Sequence, residues 1–275
     1  MKQRRDRQQG MPPILERYEL KFVIPEHMVD PISDFASVYC TLDKYSQITD
    51  GLFYRVNNLY FDTPNFLFLQ RRLEGVENRF NMRIRSYGEE GNLPCFFEIK
   101  QKRVNIIKKF RAGVHDEDWP VMFEKSDYDI SGKTRREEVG NKELFLRLAH
   151  SYNAGPRVLT QYKRKAYVSD VDDYGRVTFD MDLRYMPEER YNVRPDEARM
   201  IPNDDVMAFD PDPVGNIILE LKCYSTQFPL WMIDLIRYFD LSRRSFSKYI
   251  TGLRSVTELC RYDPGIRQSA LGVFI

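Results

Sequence analysis

The sequence predicts an α+β fold: an antiparallel, roughly eight-stranded β-barrel or tunnel with a charged lumen and helices packed on its outside. Three observations predict it. About eight segments alternate polar and apolar residues with the two-residue period of a strand. On those segments one face is almost wholly ionised and the other almost wholly apolar. Between them lie stretches of helical period with recognisable capping residues, suited to covering apolar sheet faces.

Taken in order, residues 1–13 (MKQRRDRQQGMPP) are charged and read as a disordered tail, with no apolar run of the kind a signal peptide or anchor needs. From Arg17 to Val23, Arg17, Glu19 and Lys21 share one face and Tyr18, Leu20 and Phe22 the other. A helix follows Pro25. The strand Tyr54–Phe61 leads to Thr63-Pro64, which opens a short helix through Leu69. Strands over Arg79–Tyr87, Cys95–Lys102 and Ile106–Val114 come next, then a helix over Arg136–Tyr152 with Leu144, Phe145 and Leu148 inward.

Strands over Arg157–Ser169 and Arg176–Leu183 precede Met186–Val214, whose five prolines and weak periodicity predict a long irregular connection. After the strand Asn216–Tyr224, Pro229 opens an apolar helix through Phe239. A last helix, N-capped by Ser245, aligns Phe246, Tyr249, Ile250, Leu253 and Val256. One domain over residues 14–260 and a short tail over 261–275 account for the chain.

With 42% hydrophobic residues in 275, the chain can bury the core of one large domain. Its 42 Lys and Arg against 41 Asp and Glu, a formal net charge of +1, leave no global basic excess and argue against nucleic-acid binding. Cys40, Cys95, Cys223 and Cys260 form no CxxC pair and lie far from His27, His115 and His150, which argues against a thiolate zinc site and a disulfide framework. No stretch approaches the ~18 apolar residues of a membrane span, so a cytoplasmic protein without a membrane segment is expected. Trp119 and Trp231 read as packing residues.

The informative feature is which residues share a face. Arg79, Arg83 and Arg85 alternate with Phe80, Met82 and Ile84; Glu98, Lys100 and Lys102 oppose Phe97 and Ile99. Asp180, Asp182 and Arg184 oppose Phe179, Met181 and Leu183; Glu220 and Lys222 oppose Leu219, Leu221 and Cys223; Lys109 and Arg111 flank Phe110. Alternation ordinarily means a sheet with one solvated face. Solvated faces, however, mix in Ser, Thr and Gln, and like-charged neighbours such as Arg83 and Arg85 repel unless an anion sits between them. Curling about eight strands places such a face inside a small barrel. Many Lys and Arg suit a chain of phosphates, and carboxylates among them would repel it unless they held a hard divalent cation. A metal with a polyphosphate-like anion follows.

The motifs Arg17–Lys21 (RYELK), Tyr60–Thr63 (YFDT), Arg83–Arg85 (RIR), Phe96–Lys100 (FFEIK), Tyr162–Tyr167 (YKRKAY), Leu219–Lys222 (LELK) and Phe246–Tyr249 (FSKY) resemble, in order and spacing, the polyphosphate polymerase domain of the vacuolar transporter chaperone family. That family belongs to the triphosphate tunnel metalloenzymes. The resemblance implies transfer of the terminal phosphate of ATP, or another nucleoside triphosphate, onto inorganic polyphosphate with Mn²⁺ or Mg²⁺. It implies phosphate contacts from Lys21, Arg83, Arg85, Lys100, Arg164 and Lys248, and a metal ligand in Glu220. Arg17, Lys109, Arg111, Lys222 and Arg244 are further candidates for phosphate, and Glu19, Glu98, Asp180 and Asp182 for metal. Where the family often carries a lysine three residues before Lys248, this chain has Ser245 beside Arg243 and Arg244. Two alternatives remain open: a metal-dependent tripolyphosphatase or nucleoside triphosphatase of the same fold, and a non-catalytic module binding polyphosphate or inositol phosphates. Arg17 stands where the hydrolases carry the first glutamate of E-x-E-x-K, which tilts the reading toward a polymerase.

Overall fold

Each segment with the two-residue period forms a strand in the computed structural model, which describes residues 17–254 apart from 90, 105, 116, 118, 126–128, 130–134, 204–215 and 225–227. The expected tails, Val256 and Cys260 lie outside the described residues. The strands are β1 (Arg17–Ile24), β2 (Cys40–Leu42), β3 (Tyr54–Asp62), β4 (Asn78–Tyr87), β5 (Asn92–Arg103), β6 (Ile106–Val114), β7 (Gly155–Ser169), β8 (Gly175–Pro187), β9 (Ile201–Pro202) and β10 (Ile217–Tyr224). They form one ten-stranded sheet, ordered β1-β10-β8-β7-β3-β4-β5-β6, with the short β2 on β7 and β9 on β8. Every pairing is antiparallel.

The helices are α1 (Val29–Ser37), α2 (Lys44–Ile48), α3 (Leu67–Leu73), α4 (Arg136–Tyr152) and α5 (Leu230–Tyr238), followed by a terminal helix over 248–254. None among the described residues is long and apolar enough to cross a membrane. α1 and α5 cover the outer face of β1, β10 and β8, where Ile32, Ala36, Trp231 and Leu235 pack on Phe22, Phe179 and Leu219. α3, α4 and the segment Trp119–Phe123 cover β3, β4 and β5, with Phe68, Phe123 and Phe145 against Phe61, Ile84 and Phe97.

Four expectations shift. Thr63 and Pro64 do not begin the helix: α3 starts at Leu67, and Thr63 Oγ1 accepts from Leu67 N (2.9 Å) while the Asp62 carboxylate accepts from Phe68 N and Leu69 N (2.9 and 3.0 Å). The Asp62 side chain outcompetes the local Pro signal because it satisfies two orphan donors of the first turn at once. On α4, Phe145, Leu146 and Ala149 are buried, and Leu144 and Leu148 only partly, so the inward stripe is rotated toward Leu146. The connection after Met186 is shorter than predicted, since β8 runs to Pro187 and Ile201–Pro202 pairs with it.

The fourth concerns the terminal helix, which does not lie on the outside. Tyr249 and Leu253 pack among Tyr54, Val56, Tyr60, Tyr162, Leu183 and Tyr185, on the concave face of the sheet. Its cap is Ser247 rather than Ser245: Ser247 Oγ accepts from Ile250 N (3.4 Å). Gly252 lets it seat there, because a Cβ at that position would stand 2.7 Å from Tyr185 Cδ1 and 3.3 Å from Val158 Cγ2. The Tyr249 hydroxyl donates to Asp62, tying the helix to the start of α3.

Candidate anion-binding site in the rolled sheet

The sheet rolls without joining its ends in a ladder: among the described residues no backbone pairing links β1 to β6. Side chains span the gap. Lys100 Nζ, on β5, donates to Glu19 Oε2, on β1, at 3.0 Å. The free edge of β1 is lined by the chain before the terminal helix, where Phe22 bridges to Arg243 and Arg244 N donates to Lys21 O (2.9 Å). Register then decides what faces inward. Lys21 pairs with Glu220, Glu220 with Thr178, Ile218 with Asp180 and Asp180 with Arg164. Arg83 pairs with Tyr60 and with Glu98, Lys100 with Lys109, and Glu98 with Arg111. One concave wall thus collects residues from eight strands.

On this wall the carboxylates are clamped by cations. Asp180, fully buried, accepts from Arg164 Nε and Nη2 (2.6 and 2.7 Å) and from Lys248 Nζ (2.6 Å). Burial pushes its carboxyl up, but Arg164 and then Lys248 hold it below the ordinary range. Glu98 accepts from Arg83 Nε (2.8 Å) and lies 3.5 Å from Arg111 and 3.8 Å from Arg85. Burial raises it too, and Arg85, Arg83 and Arg111 outweigh burial to leave it at about 2. Glu220 contacts Lys222 and, at 3.2 Å, Lys21. Burial opposes ionisation there, and Lys222 and Lys21 hold it well below the usual value. Glu19 is likewise held at about 2, against burial, by Lys222, Lys100 and Lys21 in spite of the nearby Glu220.

The cations outnumber these partners more than twofold. Among the described residues Lys21, Arg83, Arg85, Lys100, Lys109, Arg111, Arg164, Lys222 and Lys248 share one face with Glu19, Glu98, Asp180 and Glu220. Lys109 records the surplus: its ammonium is pushed down to about 8, first by loss of hydration and then by the Lys100 ammonium, with Glu19 only partly offsetting them. Arg85 Nε donates to Asn58 Oδ1 (2.9 Å), a neutral acceptor, rather than to a carboxylate at that distance.

Not every predicted residue arrives here. Asp182 leaves the wall. It has a left-handed backbone (φ 52°) at a β-bulge between Gln161 and Lys163, which reverses the alternation. It pairs instead with Arg55 (2.9 Å), Arg184 (3.0 Å) and Lys163 (3.4 Å), while Leu183 turns inward in its place. Arg184 leaves with it. The side chain of Arg17 lies outside the described residues, and Arg244 sits at the β1 edge through its backbone. Residues the sequence reading passed over complete the wall: the Tyr162 ring lies under Lys248 and Arg164 (4.6 and 5.3 Å), and Tyr60 Oη accepts from Arg83 Nη1 (3.2 Å). Both stand inside quoted motifs on the faces of Arg164 and Arg83, so alternation was their available signal. Arg176, opposite Lys222, was equally accessible.

Among the described residues no three His, Cys, Asp or Glu side chains gather as a metal site. Two carboxylates do flank one cation position: Lys21 Nζ lies 3.2 Å from Glu220 Oε1 and 3.8 Å from Glu19 Oε1. A hard divalent ion accepts such oxygens, and phosphate oxygens or water would fill the rest of its shell. The donor set therefore fits Mg²⁺ or Mn²⁺ bound together with a phosphate ligand.

A family model described as the VTC domain matches residues 16–257. Vacuolar transporter chaperone complex subunit 4 of Trypanosoma brucei brucei is 25% identical over 279 residues, covering 86% of this chain and 33% of its own length. The protein of the same name from Trypanosoma cruzi is 28% identical over 272 residues, covering 86% and 32%. The chain spans about a third of the length of these relatives. Solved structures from Vibrio parahaemolyticus and Pyrococcus horikoshii match 86% and 88% of the chain with TM-scores of 0.44 and 0.42, each at 10% identity. At that similarity the family assignment rests on the sequence match alone.

Proposed function

The chain belongs to the VTC domain family, and from that premise we propose that it is a polyphosphate polymerase, moving the terminal phosphate of ATP onto a growing inorganic polyphosphate chain. The observation that carries the proposal is the surplus of cations on the concave wall, where Lys and Arg side chains outnumber the carboxylates Glu19, Glu98, Asp180 and Glu220 more than twofold. A strongly anionic ligand is the partner such a wall lacks.

In the proposed reaction an oxygen of the terminal phosphate of the chain attacks the γ-phosphorus of ATP. The new P–O bond forms as the bond from that phosphorus to the β,γ-bridging oxygen breaks, and ADP leaves with that oxygen. Phosphoryl transfer needs little covalent help; positioning and charge neutralisation supply most of the effect. Arg83 and Arg85, adjacent on β4, present two guanidinium forks to donor and acceptor phosphates. Arg164 and Lys248 are held in place by Asp180, and Lys21 and Lys100 by Glu220 and Glu19. Glu220 and Glu19 would hold the divalent ion, which supplies charge neutralisation on the phosphate oxygens when bound. The low carboxyl pKa values keep both ionised for that role at neutral pH.

A second reading, anion binding without transfer, is favoured by one observation: each of the four wall carboxylates already has a Lys or Arg partner. One assay separates the readings. Purified protein is incubated with ATP and Mn²⁺ and the products are resolved on a polyphosphate gel beside an ADP-release measurement, with Arg83→Ala and Glu220→Gln as controls. A chain ladder lost in both variants supports the polymerase. ADP and free phosphate without chains would instead make it a hydrolase, and bound polyphosphate without products a binding module.

A further inference from the structure

On the outer side of the sheet, where α1 and α5 lie, exposed apolar side chains are gathered rather than scattered. Tyr18, Val38, Val171, Leu230 and Tyr238 are 51–77% exposed. A continuous run of contacts joins them. Tyr18 meets Phe228 edge-on (6.5 Å between centroids), two residues before Leu230 and the start of α5. Trp231 stacks on Tyr39 (5.3 Å), next to Val38, and its Nε1 donates to Asp172 (2.8 Å), next to Val171. Two turns further along α5, Tyr238 stacks on Phe35 (6.2 Å) of α1. The two rungs make an aromatic ladder between antiparallel helices, and a grouped apolar surface of this kind marks a docking site.

Charge says what docks. α1 and α5 carry Asp30, Asp34 and Asp234, all exposed, against one basic side chain, Arg237. Asp234 shares the helix face of Trp231 and Tyr238, and Asp34 adjoins Phe35, so carboxylates flank the ladder. Phosphates and anionic surfaces are repelled there, and two copies meeting through this face would oppose their net-negative rims. The complement is an apolar segment followed by cations. This chain carries one beside the patch: Met11-Pro12-Pro13-Ile14-Leu15 stands just ahead of β1, which opens with Arg17 and Tyr18. Lys2, Arg4, Arg5 and Arg7 stand ahead of that, with Asp6 the one acid among residues 1–15.

We infer that residues 2–15 dock on the α1–α5 face of their own chain. Ile14 and Leu15 cover the Trp231–Tyr39 rung, and Arg4, Arg5 and Arg7 pair with Asp34 and Asp234 beside the Phe35–Tyr238 rung. The order fits, because the apolar residues lie nearer Arg17 in sequence and the Trp231 rung lies nearer Tyr18 and Phe228. The length fits too: the nine residues of α5 span ~14 Å, and the chain from Leu15 back to Arg7 reaches up to ~26 Å when extended. Covalent attachment holds the segment at an effective concentration on the order of millimolar, so individually weak exposed ion pairs suffice. Docking covers Tyr18 and with it the outer face of β1, whose inner face carries Glu19 and Lys21. The inference is independent of the reaction proposed for the wall.

The test puts the photo-crosslinking amino acid p-benzoylphenylalanine in place of Ile14 in the full chain, in dilute solution, and maps the products by mass spectrometry. Expected are crosslinks within one chain to residues 28–39 or 228–239. Reversing two acids, Asp34→Arg with Asp234→Arg, lowers their yield by about threefold or more. Adding Arg5→Glu with Arg7→Glu to that variant restores the yield, and the restoration shows that the reversed acids have not unfolded the helices. Crosslinks that join two copies at this face overturn docking within the chain and make the face an interface between copies. Crosslinks on the concave wall instead, or none on either helix, overturn the docking itself. A yield indifferent to the acid reversal, or a loss that the arginine reversal does not restore, overturns the pairing of Asp34 and Asp234 with the arginines.

Discussion

Asp180→Asn tests the electrostatic design of the wall most directly. Asp180 is fully buried and accepts three charge-assisted hydrogen bonds at 2.6–2.7 Å, two from Arg164 and one from Lys248. Replacing one oxygen by an amide NH₂ turns a donor toward a guanidinium or ammonium and leaves two buried cations without their hydrogen-bonded counterion, with Glu220 as the remaining nearby negative charge. Breaking a buried pair by neutralising one partner costs ~3–5 kcal/mol, a large part of the ~5–15 kcal/mol that holds a typical domain folded. An anion in the wall supplies the missing charge. Tripolyphosphate at 100 times its Kd stabilises the wild type by ~2.7 kcal/mol, and it stabilises the variant by more, because there it also relieves the uncompensated cations. Urea unfolding followed by circular dichroism, with and without tripolyphosphate, reads both quantities. Expected is a gap of ~3–5 kcal/mol between the proteins that narrows with ligand. A gap below ~1 kcal/mol, the scale of an exposed pair, or one that tripolyphosphate leaves unchanged, refutes the reasoning.

Three further outcomes follow from the same geometry. Lys109, held near 8, loses its charge as pH rises through that value, so tripolyphosphate affinity falls between pH 7 and 9; Lys109→Arg, charged throughout, flattens the profile, and a wild-type affinity constant over that range contradicts the assignment. Glu98, held at about 2, contributes stability that is complete above the unfolded carboxylate pKa of ~4.3 and lost as pH falls toward 2. Glu98→Gln therefore removes ~3 kcal/mol of the wild type's acid dependence, and stability curves that stay parallel between pH 5 and 2 exclude this origin. Gly252→Ala places a methyl 2.7 Å from buried Tyr185, costs ~1–3 kcal/mol as an overpacked contact, and displaces Lys248; unfolding midpoint and tripolyphosphate affinity fall together, whereas a neutral effect on both shows that the helix has room to shift.

The sequence by itself determined the strands, because alternation of charge and apolar surface leaves little choice of conformation or face. β1, β3 to β8 and β10 fall where the two-residue period places them, and α4 coincides with its predicted span. The family resemblance named Lys21, Arg83, Arg85, Lys100, Arg164 and Glu220 as one set, alternation gave the side of individual strands, and strand register places them on a common face. Where the inference failed, the cause is long-range. At Asp182 a single bulge reverses the face, and nothing in the local pattern Asp-Met-Asp-Leu-Arg distinguishes a bulged strand from a regular one. The terminal helix carries a stripe of Phe246, Tyr249 and Leu253 that any apolar face would accept. Only the rolled sheet, with its concave aromatic floor and the space left beside Gly252, selects the inside.

Tertiary structure also decided how the charges pair. Alternation specifies a side of the sheet but not a partner across the 68 residues between Asp180 and Lys248, or across the gap from Lys100 to Glu19. Whether a carboxylate meets a metal, an arginine or water depends on distances set by strand register and by the curl of the sheet. In this chain those distances give Glu98 to arginines, share Asp180 between Arg164 and Lys248, and set Glu19 and Glu220 on either side of the Lys21 ammonium.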